Sequence, residues 1–240
     1  MNGSAVVIGA TGGLGRALVD RLIVEGKHQT VWAISRTGEE VAGAQALAAD
    51  LEDEASLAEA ARRIGQGAAP TLIVLATGVL HDGFRPERSL RQLEADHMLR
   101  DYRVNAVGPA LAAKHLLPLT PRDRRAVFAA LSARVGSIGD NRLGGWHSYR
   151  ASKAALNMIL RNLAIEMARS HPLAVIAGLH PGTVDTGLSA PFQKGVAEGR
   201  LFTPDYSAER LLAVMAALTP ADSGGGVARL FYTSPSPPDS

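Results

Sequence analysis

The sequence predicts an α/β fold, a doubly wound parallel sheet of about seven strands with helices on both faces. Three observations lead there. Short apolar runs alternate with helical patterns along the chain, with no internal repeat. The first run, Ala5-Val6-Val7-Ile8, passes straight into the glycine-rich turn Gly9-Ala10-Thr11-Gly12-Gly13-Leu14-Gly15. A length of 240 residues with 46% hydrophobic content suits one sizeable core rather than two.

Taken in order, strands are expected at Ala5–Ile8, Thr30–Ser35, Ala44–Ala48, Thr71–Leu75, Ala126–Leu131, Leu173–Leu179 and Val227–Tyr232. Helices are expected over Gly13–Glu25, Glu54–Gly65, Leu90–Leu116, Tyr149–Arg169 and Ser207–Leu218. The glycine turn sits between the first strand and a helix whose Leu18, Leu22 and Ile23 share one face. There, free amides and the positive end of the helix dipole meet a pyrophosphate, and glycines let the backbone approach it. This context predicts dinucleotide binding and the Rossmann strand order 3-2-1-4-5-6-7. Residues 1–233 form the expected single domain, with 234–240 a frayed Pro/Ser tail. Residues near 183–205 follow a strand's carboxyl end, where such sheets bind ligands, and make a candidate substrate lid.

Tyr149 stands four residues before Lys153, which puts phenol and ammonium on one helical face. At roughly 4 Å and an effective dielectric near 20, a cation favours the phenolate by on the order of 4 kcal/mol before desolvation is deducted. The pair is therefore expected to act as an acid/base device near pH 7, and its alternative is decoration of an exposed helix. At the end of the second strand, Ser35-Arg36 stands where a carboxylate would bind a ribose 2′-hydroxyl. A hydroxyl and a fixed cation suit a 2′-phosphate, so NADP(H) is the expected cofactor, with a solvated loop arginine as the alternative.

Together these elements resemble the short-chain dehydrogenase/reductase family, and the likeness covers nearly the whole chain. It is carried by Gly9, Gly13 and Gly15, Asp50-Leu51, Leu75-Ala76-Thr77-Gly78, Asn105, Tyr149 with Lys153, and Pro181-Gly182-Thr183-Val184-Asp185-Thr186. The stretches Leu131–Ile138 and Gly144–Lys153 look most like the carbonyl-reductase and C-factor branch. The resemblance implies cofactor contacts from Gly9, Thr11, Gly13, Leu14, Gly15, Ser35, Arg36, Asp50, Leu51, Ala76, Thr77, Gly78, Tyr149, Lys153, Pro181, Gly182, Val184 and Thr186. Asp50 would meet the adenine amino group or else cap a helix. It further implies that Tyr149 protonates a carbonyl oxygen while hydride leaves the nicotinamide, that Lys153 supports it, and that Asn105 supports a water linking Lys153 to solvent. Asn105 as a backbone bridge is the alternative. Members usually associate through the corresponding helices, which implies a homodimer or homotetramer.

The chain departs from the family pattern twice. Where two serines usually end the fifth strand, and the second holds the substrate oxygen, it has Ser132 and Ala133. Ser132 is the expected catalytic serine if the strand end twists, Ser137 is the fallback, and no serine is the third possibility. Ala76 replaces the usual asparagine. His81, His115, His147 and His180 show no metal-ligand spacing, so no metal is expected; Trp146 and His147 read as cleft walls or core.

Cysteine is absent, and Met1–Ser4 leads directly into the first strand, so a cytoplasmic protein without a signal peptide is expected. No apolar run reaches the roughly 20 residues a bilayer requires. The net charge of +2 is scattered, which argues against a nucleic-acid partner. The expected substrate is a small apolar ketone, aldehyde or quinone, or the matching alcohol. The main rival is a non-catalytic NADP(H)-binding sensor or signalling protein; the third is a structural oligomer module.

Overall fold

The computed structural model describes residues 3–81, 83–225 and 227–229. In chain order, β1 (Ser4–Ile8), α1 (Gly13–Glu25), β2 (Thr30–Ser35), β3 (Gln45–Ala48), α2 (Glu54–Ile64) and β4 (Pro70–Leu75) build the first half. The second half comprises α3 (Ala95–Tyr102), α4 (Gly108–Leu116), β5 (Ala126–Leu131), α5 (His147–Met167) and β6 (Ala174–His180). It continues through a small pair, β7 (Thr183–Val184) with β8 (Leu201–Phe202), to α6 (Pro204–Ala217) and β9 (Val227–Arg229). The main sheet has seven parallel strands in the order β3-β2-β1-β4-β5-β6-β9, as expected. The rest of the last expected strand, to Tyr232, and the tail at 234–240 lie outside the described residues.

Every residue of β1 is buried because both faces of the sheet are covered. Val6 and Ile8 face one core layer with Leu57, Ile64, Leu116 and Leu156. Ala5 and Val7 face the other with Leu14, Leu18, Leu211 and Met215. Thus α1 and α6 cover one face, and α2, α4 and α5 cover the other.

The expected helix over Leu90–Leu116 is divided. A 3-10 turn at Leu90–Gln92 precedes α3, and a five-residue π turn, Arg103–Val107, separates α3 from α4. Pro109 lacks the N–H that an α-helix would return to the Asn105 carbonyl, which breaks the ladder at this point. The last helix begins three residues before the expected start, because Thr203 caps it by accepting from the Tyr206 amide and Pro204 fits its first turn.

Candidate active site

A cleft opens at the carboxyl ends of the central strands, where the crossovers to the two faces diverge. It comprises two adjoining cavities of about 560 and 740 Å³ that share Gly12, Ala76, Thr77, Gly78, Leu80 and Leu188. The more polar lobe is lined by Gly9, Thr11, Ser35, Arg36, Asp50 and Leu51. The more apolar lobe takes in Gly13, Leu14, Ser132, Tyr149, Lys153, Pro181, Gly182, Val184 and Thr186. Every residue expected at the site thus lines the cleft except Gly15 and Asn105, which stand behind it.

The glycine turn is set by backbone proximity. Gly9 holds φ +88, and a Cβ on Gly15 would lie 2.0 Å from the Gly9 carbonyl oxygen. Helix α1 therefore starts against the turn, and no side chain caps its first amides. Those donors remain available to an anion. Thr77 Oγ1 and His180 Nδ1 are buried without a hydrogen-bond partner, and both residues line the cleft. Ser35 is buried and its Oγ accepts from the Glu39 amide at 3.3 Å, while Arg36 is exposed at the rim. Asp50 is not the cap of α2: that is Asp53, which accepts from Ala55, while Asp50 closes a turn by accepting from Glu52 at 3.0 Å.

In α5, Tyr149 and Lys153 are both buried, with Lys153 Nζ 5.8 Å from the tyrosine ring centroid. The ammonium donates to the Leu131 carbonyl at 2.8 Å, which joins the helix to the end of β5. The electrostatics run opposite to the expected lowering of the phenol. Burial pushes Tyr149 above its ordinary value and the Asp101 carboxylate adds to that, while burial brings Lys153 down to about 8 against the opposing pull of Asp101. Four-residue spacing brings the two groups together; desolvation is the largest cause of both shifts.

Asn105 uses its side-chain amide as a bridge. Its Oδ1 accepts from the Val79 amide, and its Nδ2 donates to the Val79 carbonyl and to Ser152 Oγ. This is the bridging geometry foreseen as its alternative role. The Ser132 hydroxyl donates to Asn157 at 2.6 Å, and Ala133 is the residue that packs with Tyr149 and Leu80. Ala133 is extended, and Ser132, which shares the apolar lobe with Tyr149, has its hydroxyl engaged by Asn157. Ser137 instead accepts from the Asp140 amide beyond the 3-10 turn Arg134–Gly136 and lines neither cavity.

Trp146, Leu188, Phe192 and Val196 complete the apolar wall, the indole lying 6.2 Å from the Tyr149 ring and 5.1 Å from Phe192. Leu143 is exposed, His147 lines neither cavity, and His115 pairs with Glu54. Among the described residues no group of three His, Cys, Asp or Glu side chains is placed to hold a metal, and no helix is long and apolar enough to cross a membrane.

Sequence reasoning missed a buried polar group next to this wall, formed by Glu87, His97, Asp101 and Ser148. The i, i+4 spacing of His97 and Asp101 was a signal for two of them. The others come from separate segments and share no local pattern.

The sequence profile of the short chain dehydrogenases matches residues 4–197. This chain belongs to that family. Among curated short-chain dehydrogenase relatives, the 1-hydroxy-2-glutathionyl-2-methyl-3-butene dehydrogenase of a Rhodococcus strain is 35% identical over 132 residues, 55% of each chain. The C-signal protein of Myxococcus xanthus is 32% identical over 136 residues, covering 57% of this chain and 76% of that one. The chain thus spans about half the length of the first of these relatives. The solved structure of NADPH-bound carbonyl reductase from chicken fatty liver superposes with a TM-score of 0.82 at 23% identity, covering 95% of this chain and 92% of that one. At this identity the likeness extends to the fold of short-chain dehydrogenases.

Proposed function

We propose that the protein is an NADP(H)-dependent oxidoreductase interconverting a small apolar carbonyl and its alcohol, with Tyr149 as the general acid and base. The observation that carries this reading is a buried phenol beside a buried ammonium in the apolar lobe. The residues present suit a dinucleotide: uncapped α1 amides and the tight Gly9–Gly15 contact for the pyrophosphate, and Thr77 and His180 with unpaired atoms in the wall. Arg36 and Ser35 stand at the polar lobe for a 2′-phosphate, and Asp50 and Leu51 for the base. Ala76, Thr77, Gly78, Pro181, Gly182, Val184 and Thr186 wall the passage between the lobes and the space beyond it. The bound cofactor supplies the hydride.

The raised phenol suits proton donation. Tyr149 stays protonated at neutral pH, yet a developing alkoxide is a stronger base than phenolate and draws the proton across. The phenolate left behind faces Lys153, whose pKa of about 8 keeps it largely protonated at pH 7 and able to return a proton. Asn105 fixes the Val79 loop and the Ser152 turn around this pair rather than offering its amide to solvent. The cleft wall around Trp146, Phe192, Leu188 and Val196 favours an apolar substrate. The Gly182–Thr203 segment supplies several of these walls and acts as the lid of a single domain over 1–233. Exposed Leu99, Val107, Met158 and Ile165 on the α3, π-turn and α5 surfaces support a homodimer or homotetramer. A cysteine-free chain suits a cytoplasmic setting.

One observation favours a non-catalytic NADP(H) sensor instead: Ala133 packs with Tyr149, while the Ser132 hydroxyl in the same lobe is donated to Asn157. NADPH consumption against a panel of apolar carbonyls, with Tyr149→Phe alongside, separates the two. Turnover that falls about 10²- to 10⁴-fold in the variant supports the enzyme. Tight NADPH binding without turnover on any carbonyl supports the sensor.

A further inference from the structure

Helix α5 begins in an unusual way. Trp146, its cap residue, holds φ 52 and ψ 43, the left-handed region that a bulky residue occupies only under constraint. No side chain of the cap residue bonds the first turn. The constraint comes from Glu87, 59 residues earlier on the β4–α3 connection, and it acts from both ends of that residue. The main-chain carbonyl of Glu87 accepts from the Trp146 amide at 2.5 Å. The side-chain carboxylate accepts from the Ser148 hydroxyl and from the Ser148 amide at 3.3 Å. Gly145 lets the two segments approach, since a Cβ there would lie 3.3 Å from the Glu87 carbonyl oxygen. Residues 146 and 148 are therefore both tied to Glu87, and Tyr149 follows directly.

Burial of a carboxylate is costly, and Glu87 is 1% exposed, so its surroundings have to compensate. Burial alone would push its carboxyl up, but the Ser148 hydrogen bonds and His97 together hold it below the ordinary value. His97 Nδ1 lies 3.4 Å from Glu87 Oε1, and its Nε2 lies 3.8 Å from Asp101. Phe84 stacks on the imidazole at 4.8 Å, which leaves it little freedom to turn. A chain of buried groups thus runs from α3 through Glu87 to the start of α5.

We infer that Glu87 is a positioning residue for the reaction proposed above, a remote cap that fixes the first turn of α5 and so the placement of Trp146 and Tyr149 in the apolar lobe. This inference rests on the proposed oxidoreductase reading for its kinetic consequence, but its structural content stands apart. Glu87 lines neither cavity and touches no part of the dinucleotide cradle. It acts through Ser148 and Trp146 on where the phenol and the indole wall sit. Misplacement of a reacting group by about 1 Å is enough to cost about 10²-fold in rate.

The test compares wild type with Glu87→Ala, Glu87→Gln and Ser148→Ala, reading amide hydrogen exchange at residues 146–152 together with NADPH affinity by calorimetry and turnover of the best apolar carbonyl. Glu87→Ala is expected to speed exchange in the first turn of α5 by about tenfold or more while the central strands keep their protection. Its kcat is expected to fall about 10- to 100-fold with the NADPH Kd within about twofold of wild type. Glu87→Gln keeps an acceptor for Ser148 and is expected to recover most of both losses, whereas Ser148→Ala leaves the bulk of residue 87 in place and is expected to show a loss that a merely space-filling role of Glu87 would not produce. Where Glu87→Ala does not fold, Ser148→Ala, which deletes one hydroxyl, is expected to show the same pattern at smaller amplitude. First-turn exchange and kcat unchanged in the variants would overturn the inference. A wild type that turns over no carbonyl sinks the oxidoreductase reading alone, because exchange at 146–152 still decides the role of Glu87.

Discussion

The polar lobe takes much of its shape from backbone: the first part of the glycine turn, Gly9 to Gly12, and the ends of β1, β2, β3 and β4. The apolar lobe is assembled from side chains carried by the glycine turn, the β4 and β5 ends, the start of α5 and the stretch after β6. A backbone site is specified locally, by contiguous sequence. A side-chain site depends on how distant segments pack, so its chemistry is adjusted by residues that never touch a ligand. Variants in the apolar wall should accordingly change turnover more than cofactor affinity, and variants at the 2′-phosphate end of the polar lobe should do the reverse.

Lys153→Met carries the largest expected effect on this contrast, a fall in kcat of about 10²- to 10⁴-fold. It also has a stability signature. The buried amine has a pKa of about 8 against an ordinary 10.5, so the unfolded chain binds that proton more tightly than the folded one. Wild-type stability is therefore reduced below pH 8 and recovers as pH rises from about 8 to 10.5, by on the order of 3 kcal/mol. The stability difference, methionine variant minus wild type, should be greatest below pH 8 and shrink above it, as read by denaturant midpoints across pH. A difference independent of pH would mean that the amine is solvated.

Arg36→Ala tests the other lobe. The NADPH Kd should rise about 10- to 150-fold with NADH affinity and Tyr149-dependent kcat unchanged; equal losses for both cofactors would refute a 2′-phosphate contact. Gly15→Ala forces a methyl against the Gly9 carbonyl and should cost about 1–3 kcal/mol of stability together with cofactor affinity, read by thermal unfolding with and without NADPH. The smallest change is Ala133→Ser. It places a hydroxyl on the side of the strand that faces Tyr149 and should raise kcat/KM by a factor of about ten or less, since the new donor has no prepared partners. A fall instead would show that the apolar contact with the ring is what this lobe requires.

The same division decides how much could be read from the chain. The seven-strand order, the helix faces and the cofactor turn were legible because each follows from a short periodic run or a contiguous motif. Ala5–Ile8 entering Gly9–Gly15 is the clearest case. Tyr149 and Lys153 were legible as neighbours, since four residues make one helical turn, but the direction of their charge balance was not, because desolvation depends on everything packed around them. The orientation of the Ser132 hydroxyl was not legible for a related reason: its bond to Asn157 depends on how β6 and α5 pack at the strand end. Pro109 was visible in the sequence, yet its effect on the helix emerges only with Asn105 clamped to Val79. Glu87 carried no motif at all, as its partners His97, Trp146 and Ser148 lie 10, 59 and 61 residues away.

A strand such as β1, apolar on both sides, cannot use wetting to choose its alignment, because sliding by one position exchanges one oily set for another. Among the bonds that hold its alignment are two at the carboxyl ends, where the Gly9 amide donates to Ile34 at 2.8 Å and the Ala76 amide donates to Ile8 at 2.8 Å. Both donors are residues of the cleft. The rim that receives a ligand therefore also helps to keep the strands from slipping, and selection for a new ligand at that rim acts on the accuracy of folding at the same time.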